Sequence, residues 1–305
     1  MKAKSSILAL GIGVALSGMM ATSQAQAGVL GSSIFEISNF FIQNADGNVP
    51  TGITINSDVR NGEIAVGLNG VNTGNTGNAG GSGNLNILPV QLGAPANILG
   101  DNSTAILPDG SGTFSRSDLF VSGTIFGTGG QGLTRSDAYA LSGDNQGNAN
   151  STIANNVLAT YSITVEADTS AQFVTDADVY LKAFVSNDLF NTASSANASI
   201  SFSVDVKNSS GTTIFAWAPE ELNRGVAAFG VAGFNDVGGF NAYTGLASGF
   251  QTLSTGVYSV TIQQKSTARE VAVNQIPEPS IIVLLGIGLV GFGFVSRSKG
   301  SSLQA

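Results

Sequence analysis

The sequence predicts an all-β protein: a mature antiparallel β-sandwich domain, flanked by an N-terminal signal peptide and a C-terminal single transmembrane helix. Three observations carry this expectation. Period-two alternation recurs along the middle of the chain, as in Tyr161-Ser-Ile163-Thr-Val165-Glu166 and Ile200-Ser-Phe202-Ser-Val204-Asp-Val206-Lys207. It puts β-branched and aromatic residues on one strand face and Ser, Thr or charge on the other. Clusters of Gly, Asn and Ser separate these stretches, as turns separate short strands. An apolar, uncharged segment lies near each end, where targeting segments are found.

Residues 1–27 have the three parts of a secretory signal peptide. Lys2 and Lys4 supply the positive start, residues 7–20 the apolar stretch, and Ala25-Gln26-Ala27 the small-x-small cleavage site, with Ala25 and Ala27 as its small residues. Gly28 becomes the first mature residue. Residues 28–275 form the acidic, cysteine-free β-sandwich domain, long enough to bury a core that needs no disulfide.

Strands are expected at 33–43, 52–56, 63–68, 118–126, 133–141, 171–185 and 212–217, besides the alternating stretches above and Val257-Tyr-Ser-Val260-Thr-Ile262-Gln263. Ten or so short strands with turns between them favour two antiparallel sheets packed face to face. Asn208-Ser209-Ser210-Gly211 is a hairpin turn. A helical turn is expected around Glu220, with Pro219 at its start, carboxylates in the first turn and Gly225 past its end. Residues 67–84 hold 7 Gly and 5 Asn in 18 positions, too polar to bury and costly to order, and predict a mobile surface loop. Residues 225–249 mix Gly with Phe229, Phe234, Phe240 and Tyr243 and are expected to pack on the sandwich edge.

Composition removes most chemistries. The chain has no His and no Cys, which excludes Ser-His-Asp and Cys-His nucleophiles and the usual zinc and copper sites. Setting aside Lys2, Lys4, Arg297, Lys299 and Glu278 leaves 8 cations against 19 anions in the mature stretch, a net charge of −11. That balance argues against nucleic acid as a partner. What remains for catalysis is a carboxylate pair, as in glycosidases. Asp176 and Asp178 fall on one face of an expected strand with Tyr180 and Lys182. A solvated strand face explains them as well, and Ca²⁺, which takes oxygen ligands alone, is the metal such a pair could share. No cofactor is otherwise expected. Asp144-Asn145-Gln146-Gly147-Asn148 lacks the spacing of a calcium loop, and the single Gly80-Gly81-Ser82-Gly83-Asn84 run lacks its Asp; both are expected to be turns. Trp217, the sole Trp, stands two residues after Phe215 and is expected in the core rather than on a sugar-stacking surface.

At the other end Ile276-Pro277-Glu278-Pro279-Ser280 runs into the apolar span 281–295, followed by Arg297 and Lys299. The prolines hold the entry extended, the span can continue as a helix, and the cations stay on the cytoplasmic side. Gly286, Gly288 and Gly291 spell a dinucleotide-like G-x-G-x-x-G, but inside an uncharged span with no strand-turn-helix context it carries no cofactor. Pro-Glu-Pro, an apolar span and a basic end together resemble the PEP-CTERM sorting signal of bacterial surface proteins, over residues 276–305. The resemblance implies an exosortase-like membrane protein as partner, with Pro277, Glu278 and Pro279 recognised and Arg297 and Lys299 as membrane stop. It also implies transient anchoring in the inner membrane, release to the cell envelope or outside, and exopolysaccharide as a neighbour. The expected role is a non-enzymatic structural or polysaccharide-associated protein of the surface or biofilm matrix; the alternative is a secreted carboxylate-based glycan hydrolase.

Overall fold

Alternation in the sequence becomes pairing in the computed structural model, which describes residues 28–81, 83–95, 99–108, 112–126, 129–140, 145–153, 159–186, 194–230 and 235–272. In chain order the strands are β1 (Val29–Gln43), β2 (Ile53–Leu68), β3 (Val71–Gly80), β4 (Leu85–Pro95), β5 (Gly112–Gly123), β6 (Gly130–Ala140), β7 (Asn145–Ile153) and β8 (Ala159–Val165). There follow β9 (Thr169–Val185), β10 (Ser195–Asn208), β11 (Thr213–Trp217), β12 (Arg224–Phe229), β13 (Asn235–Ala247), β14 (Gln251–Leu253) and β15 (Gly256–Ala272). The first sheet has the order β13-β9-β1-β6-β5-β4, with β14 also on β9. The second has the order β11-β10-β15-β7-β2-β3, with β12 on β10 and β8 joining β15 to β2.

The two sheets face each other over a core supplied by every second residue. On β8, Ala159, Tyr161, Ile163 and Val165 are buried while the residues between them are not, as a half-buried strand requires. Aromatic rings fill the thick end of the sandwich. Phe202 of the second sheet meets Phe35 and Phe40 of the first edge-on, at 6.5 and 5.9 Å, and Trp217 at 5.7 Å. Phe173 stacks between Phe40 and Phe215. Trp217, expected in the core, is partly buried and packs against it from the edge strand β11.

Toward the other end the sheets draw together over small side chains. Val29, Ala140, Ala183, Val185, Ala196, Ala228 and Ala272 form one cluster. A Cβ on Gly31 would lie 2.5 Å from the carbonyl oxygen of Asn197 and 2.8 Å from that of Arg269, so the backbones are too close for any side chain there. Hydroxyls then replace apolar contacts between the sheets. Ser33 donates to the Ser199 carbonyl and Ser136 to the Ser266 carbonyl, both at 3.1 Å. The first strand and the last, β1 and β15, are both interior to their sheets, and Val29 and Ala272 share the small-residue cluster.

Some expectations change. The strands expected at 52–56 and 63–68 are one continuous strand, β2, which starts at Ile53. The mobile loop expected at 67–84 is largely β3, paired with β2 over ten residue pairs without a register break. Asn69 and Gly70 both have positive φ, 51° and 82°, and Leu68 pairs with Val71, which is the two-residue hairpin that Asn-Gly favours. Glycine here permits packing rather than looseness: a Cβ on Gly77 would sit 3.0 Å from side-chain atoms of Ile87 and Leu85 on the facing β4. Asn145 to Asn148, expected in a turn, lie in β7 between β15 and β2. The turn at Asn208 holds, its side chain accepting from the Ser210 and Thr212 amides at 3.1 and 2.9 Å. The helical turn is a 3-10 turn, Glu220–Leu222, after Pro219. Residues 224–229 and 235–247 pack along the edges as β12 and β13.

Candidate functional site

The outer face of the first sheet carries two buried ion pairs, Arg116–Asp118 and Arg135–Asp137. Because side chains alternate, β1, β5, β6 and β9 turn Ser32, Glu36, Arg116, Asp118, Arg135, Asp137 and Asp178 away from the core. Residues 99–108 cross this face as a strap. Arg135 donates through Nη1 to the carbonyls of Ser103 and Ala105, both at 2.8 Å, and through Nε to Asp137 at 2.5 Å. Arg116 donates to the carbonyls of Leu99 and Gly100 at 2.8 and 2.6 Å and to Asp118 at 3.1 Å. Asp118 accepts from the Asn102 amide at 2.8 Å, and Asp137 from the Ser32 hydroxyl at 2.6 Å. Burial raises the Asp118 pKa, although Arg116 and the Asn102 amide pull the other way. Leu107 completes the cover on Leu30, Phe114, Tyr139 and Phe184.

Beside the strap, the same face opens into a cleft of about 270 Å³ lined by Ile34, Glu36, Thr104, Ile106, Asp178, Tyr180 and Phe240. Glu36 and Asp178 are direct cross-strand partners, and Tyr180 is the partner of Phe240. Two carboxylates thus stand beside two aromatic rings, with Phe240 61% and Ile106 52% exposed at the rim. Partial burial and the neighbouring Asp178 charge raise the Glu36 pKa above its usual 4.5. The folded chain therefore holds this proton more tightly than the unfolded one. The cost of ionising Glu36 is present above its folded pKa and is relieved as the pH falls through that value towards 4.5.

Asp176 and Asp178 stand on the same outward face of β9, as expected, but meet different partners. Asp176 accepts from Asn39 Nδ2 and from the Gly245 amide, both at 2.7 Å. These groups lie at the register breaks of β1 and β13 against β9, so Asp176 clamps a bulge on either side of its strand. Asp178 lies in the cleft with Glu36. We expect Asp176→Asn to cost about 1 kcal/mol in chemical denaturation, through weakened charge-assisted hydrogen bonds. Asp178→Asn should cost nothing measurable and should lower the Glu36 pKa in a carboxyl NMR titration; an unmoved Glu36 would contradict the pairing.

Sequence reasoning missed the buried ion pairs and Glu36. The signal was there in part: Arg116-Ser117-Asp118 and Arg135-Ser136-Asp137 are the same tripeptide. They lie on adjacent antiparallel strands, with Arg116 opposite Asp137 and Asp118 opposite Arg135. Asp58-Val59-Arg60 repeats the i, i+2 pairing on β2 at 2.7 Å. Arg60 also donates to the carbonyls of Gly83 and Gly123. Among the described residues no group of three or more His, Cys, Asp or Glu is placed to hold a metal ion.

Ala25, Ala27, Pro277, Glu278, Pro279, the span 281–295, Arg297 and Lys299 lie outside the described residues. Among the described residues no helix is long and apolar enough to cross a membrane. Comparison with protein families places the PEP-CTERM protein-sorting motif on residues 275–298, so the tail carries the sorting signal that it resembles. The motif implies exosortase-dependent sorting, by a membrane protein, to the cell envelope, surface or extracellular space. Comparison with curated proteins and with solved structures returned no match.

Proposed function

We propose that this chain is a non-enzymatic protein of the bacterial surface or biofilm matrix. In this reading an exosortase-type enzyme cuts it near Pro277-Glu278-Pro279 after transient anchoring by residues 281–295, and the domain then associates with polysaccharide through the Glu36 cleft. The observation that carries the last step is the pairing of two carboxylates with one exposed ring, that of Phe240. Glu36 and Asp178 offer acceptors for sugar hydroxyls, and Phe240 offers an apolar face to a sugar ring. The acidic charge of the mature stretch favours neutral or cationic glycans over acidic ones.

One observation favours the hydrolase alternative. Glu36 and Asp178 are cross-strand partners, whose Cβ atoms lie about 4.5–5.5 Å apart, so their carboxyls can reach the roughly 5–5.5 Å separation of retaining glycosidases, and the Glu36 pKa is shifted upward, the direction a general acid needs. Protein released from the cell surface tests both readings. Mass spectrometry should show Gly28 first and the segment after about Pro279 lost. On a glycan array Phe240→Ala should lose the binding of the unaltered protein, with no reducing sugar released by either. Sugar release abolished by Glu36→Gln, with binding kept, would establish the enzyme instead. A released chain still carrying residues 281–295 would refute sorting by cleavage.

A further inference from the structure

We infer that β3 is a self-association edge, joining two copies of this chain into one continuous sheet through antiparallel β3–β3 pairing centred on Asn75. An open sheet edge presents unpaired backbone donors and acceptors, and folded proteins blunt such edges with charge, proline, bulges or short length. The other edges of this sandwich show those devices. On the facing sheet, β4 contains Pro89 at a register break between Ile87 and Val90, and ends at Pro95. At the far end of that sheet, β13 has a break between Tyr243 and Leu246, and β14 has three residues. At the far end of the second sheet, β11 has five residues with a break against β10, and β12 has six with Arg224 among them. In contrast β3 has ten residues, no charge, no proline and no register break against β2. Residues 71–76 are all exposed, Val71 at 59%.

The sequence of β3 points to a second copy as the occupant. Residues 72–80 run Asn-Thr-Gly, Asn-Thr-Gly, Asn-Ala-Gly, a three-residue repeat that places Asn72 and Asn78, and Gly70 and Gly80, symmetrically about Asn75. Antiparallel pairing of two copies there sets Asn72 opposite Asn78, Asn75 opposite Asn75, Thr73 opposite Gly77, Gly74 opposite Thr76 and Val71 opposite Ala79. Asn thus meets Asn, whose amides can both donate and accept, each Thr meets a Gly that leaves it room, and the apolar pair falls together. The arrangement is a closed twofold, the commonest form of self-association. It also suits an acidic chain, whose copies repel elsewhere. Glu63, the nearest charge on β2, pairs with Thr76, so two β3 strands would separate the two Glu63 side chains. At about 4.8 Å per strand step that is roughly 14 Å, beyond the ~8 Å screening length at physiological salt.

The test is sedimentation of the purified full chain in non-ionic detergent over a dilution series, with circular dichroism as the check on folding. The unaltered chain should dimerise. Asn75→Lys, which sets two ammonium groups across the twofold, should weaken dimerisation by about tenfold or more. Association through residues 281–295 would be unaffected by these changes, so the decisive arm is a charge swap. Asn72→Lys with Asn78→Lys, and separately Asn72→Glu with Asn78→Glu, should each fail to self-associate, yet form a mixed dimer when combined. An unaltered chain that stays monomeric, an Asn75→Lys variant that dimerises as well as the parent, or charge-swapped chains that do not combine would each overturn the inference.

Discussion

Replacing Arg135 by Ala should destabilise the domain by about 3–5 kcal/mol, the usual cost of removing one partner of a buried ion pair. Arg135 and Asp137 are both fully buried. Without the guanidinium, Asp137 keeps the Ser32 hydroxyl, and the carbonyls of Ser103 and Ala105 lose the donor that ties the strap to β6. For a domain of this size the loss corresponds to a fall of roughly 6–20 °C in melting temperature. Replacing both partners, Arg135→Met with Asp137→Leu, should cost much less than the single change, because no unpaired charge is left in the layer. If the double variant proved as unstable as the single one, the charges would matter for more than their mutual compensation.

The second large effect is expected at Phe202. This ring is 1% exposed and touches Phe35 and Phe40 across the sandwich and Trp217 beside it. Phe202→Ala should cost about 3–5 kcal/mol, as aromatic truncations in a packed core do. The chain has one Trp, so the change has a clean optical reporter. Trp217 emission should shift to longer wavelength as water reaches the vacated space, and the urea midpoint should fall. An unshifted emission with an unchanged midpoint would mean that the sheets close over the gap.

Period-two patterning made the sandwich legible, because burial on one strand face leaves a mark every second residue, as at Phe202, Val204 and Val206. It failed where a strand buries little. β3 is exposed over most of its length, so no apolar stripe announced it, although Asn69-Gly70 marked its hairpin and the three-residue spacing of Asn69, Asn72, Asn75 and Asn78 lay in plain view. The cleft was half legible. Asp178 and Tyr180 share a strand face, so their spacing placed them together, whereas Glu36 and Phe240 reach the same cleft through cross-strand register, which depends on pairing between distant segments. The partners of Asp176 were hidden for the same reason: Asn39 and Gly245 lie on neighbouring strands. The presence of the sorting signal was legible because it is read as a short linear motif, matched over residues 275–298.

The placement of β15 has a consequence for the timing of folding during export. β15 pairs with β10 along fourteen positions and also with β7 and β8, so the second sheet stays in separate pieces until its final strand arrives. That strand ends at Ala272, just before the motif at 275–298. Under the transient anchoring proposed above, a chain delivered N-terminus first would have nearly all of residues 28–272 across the membrane, still unclosed, when residues 281–295 entered the bilayer. Closure and arrest of translocation would then fall almost together, and the sorting enzyme would meet its Pro-Glu-Pro substrate on a domain that had only just sealed.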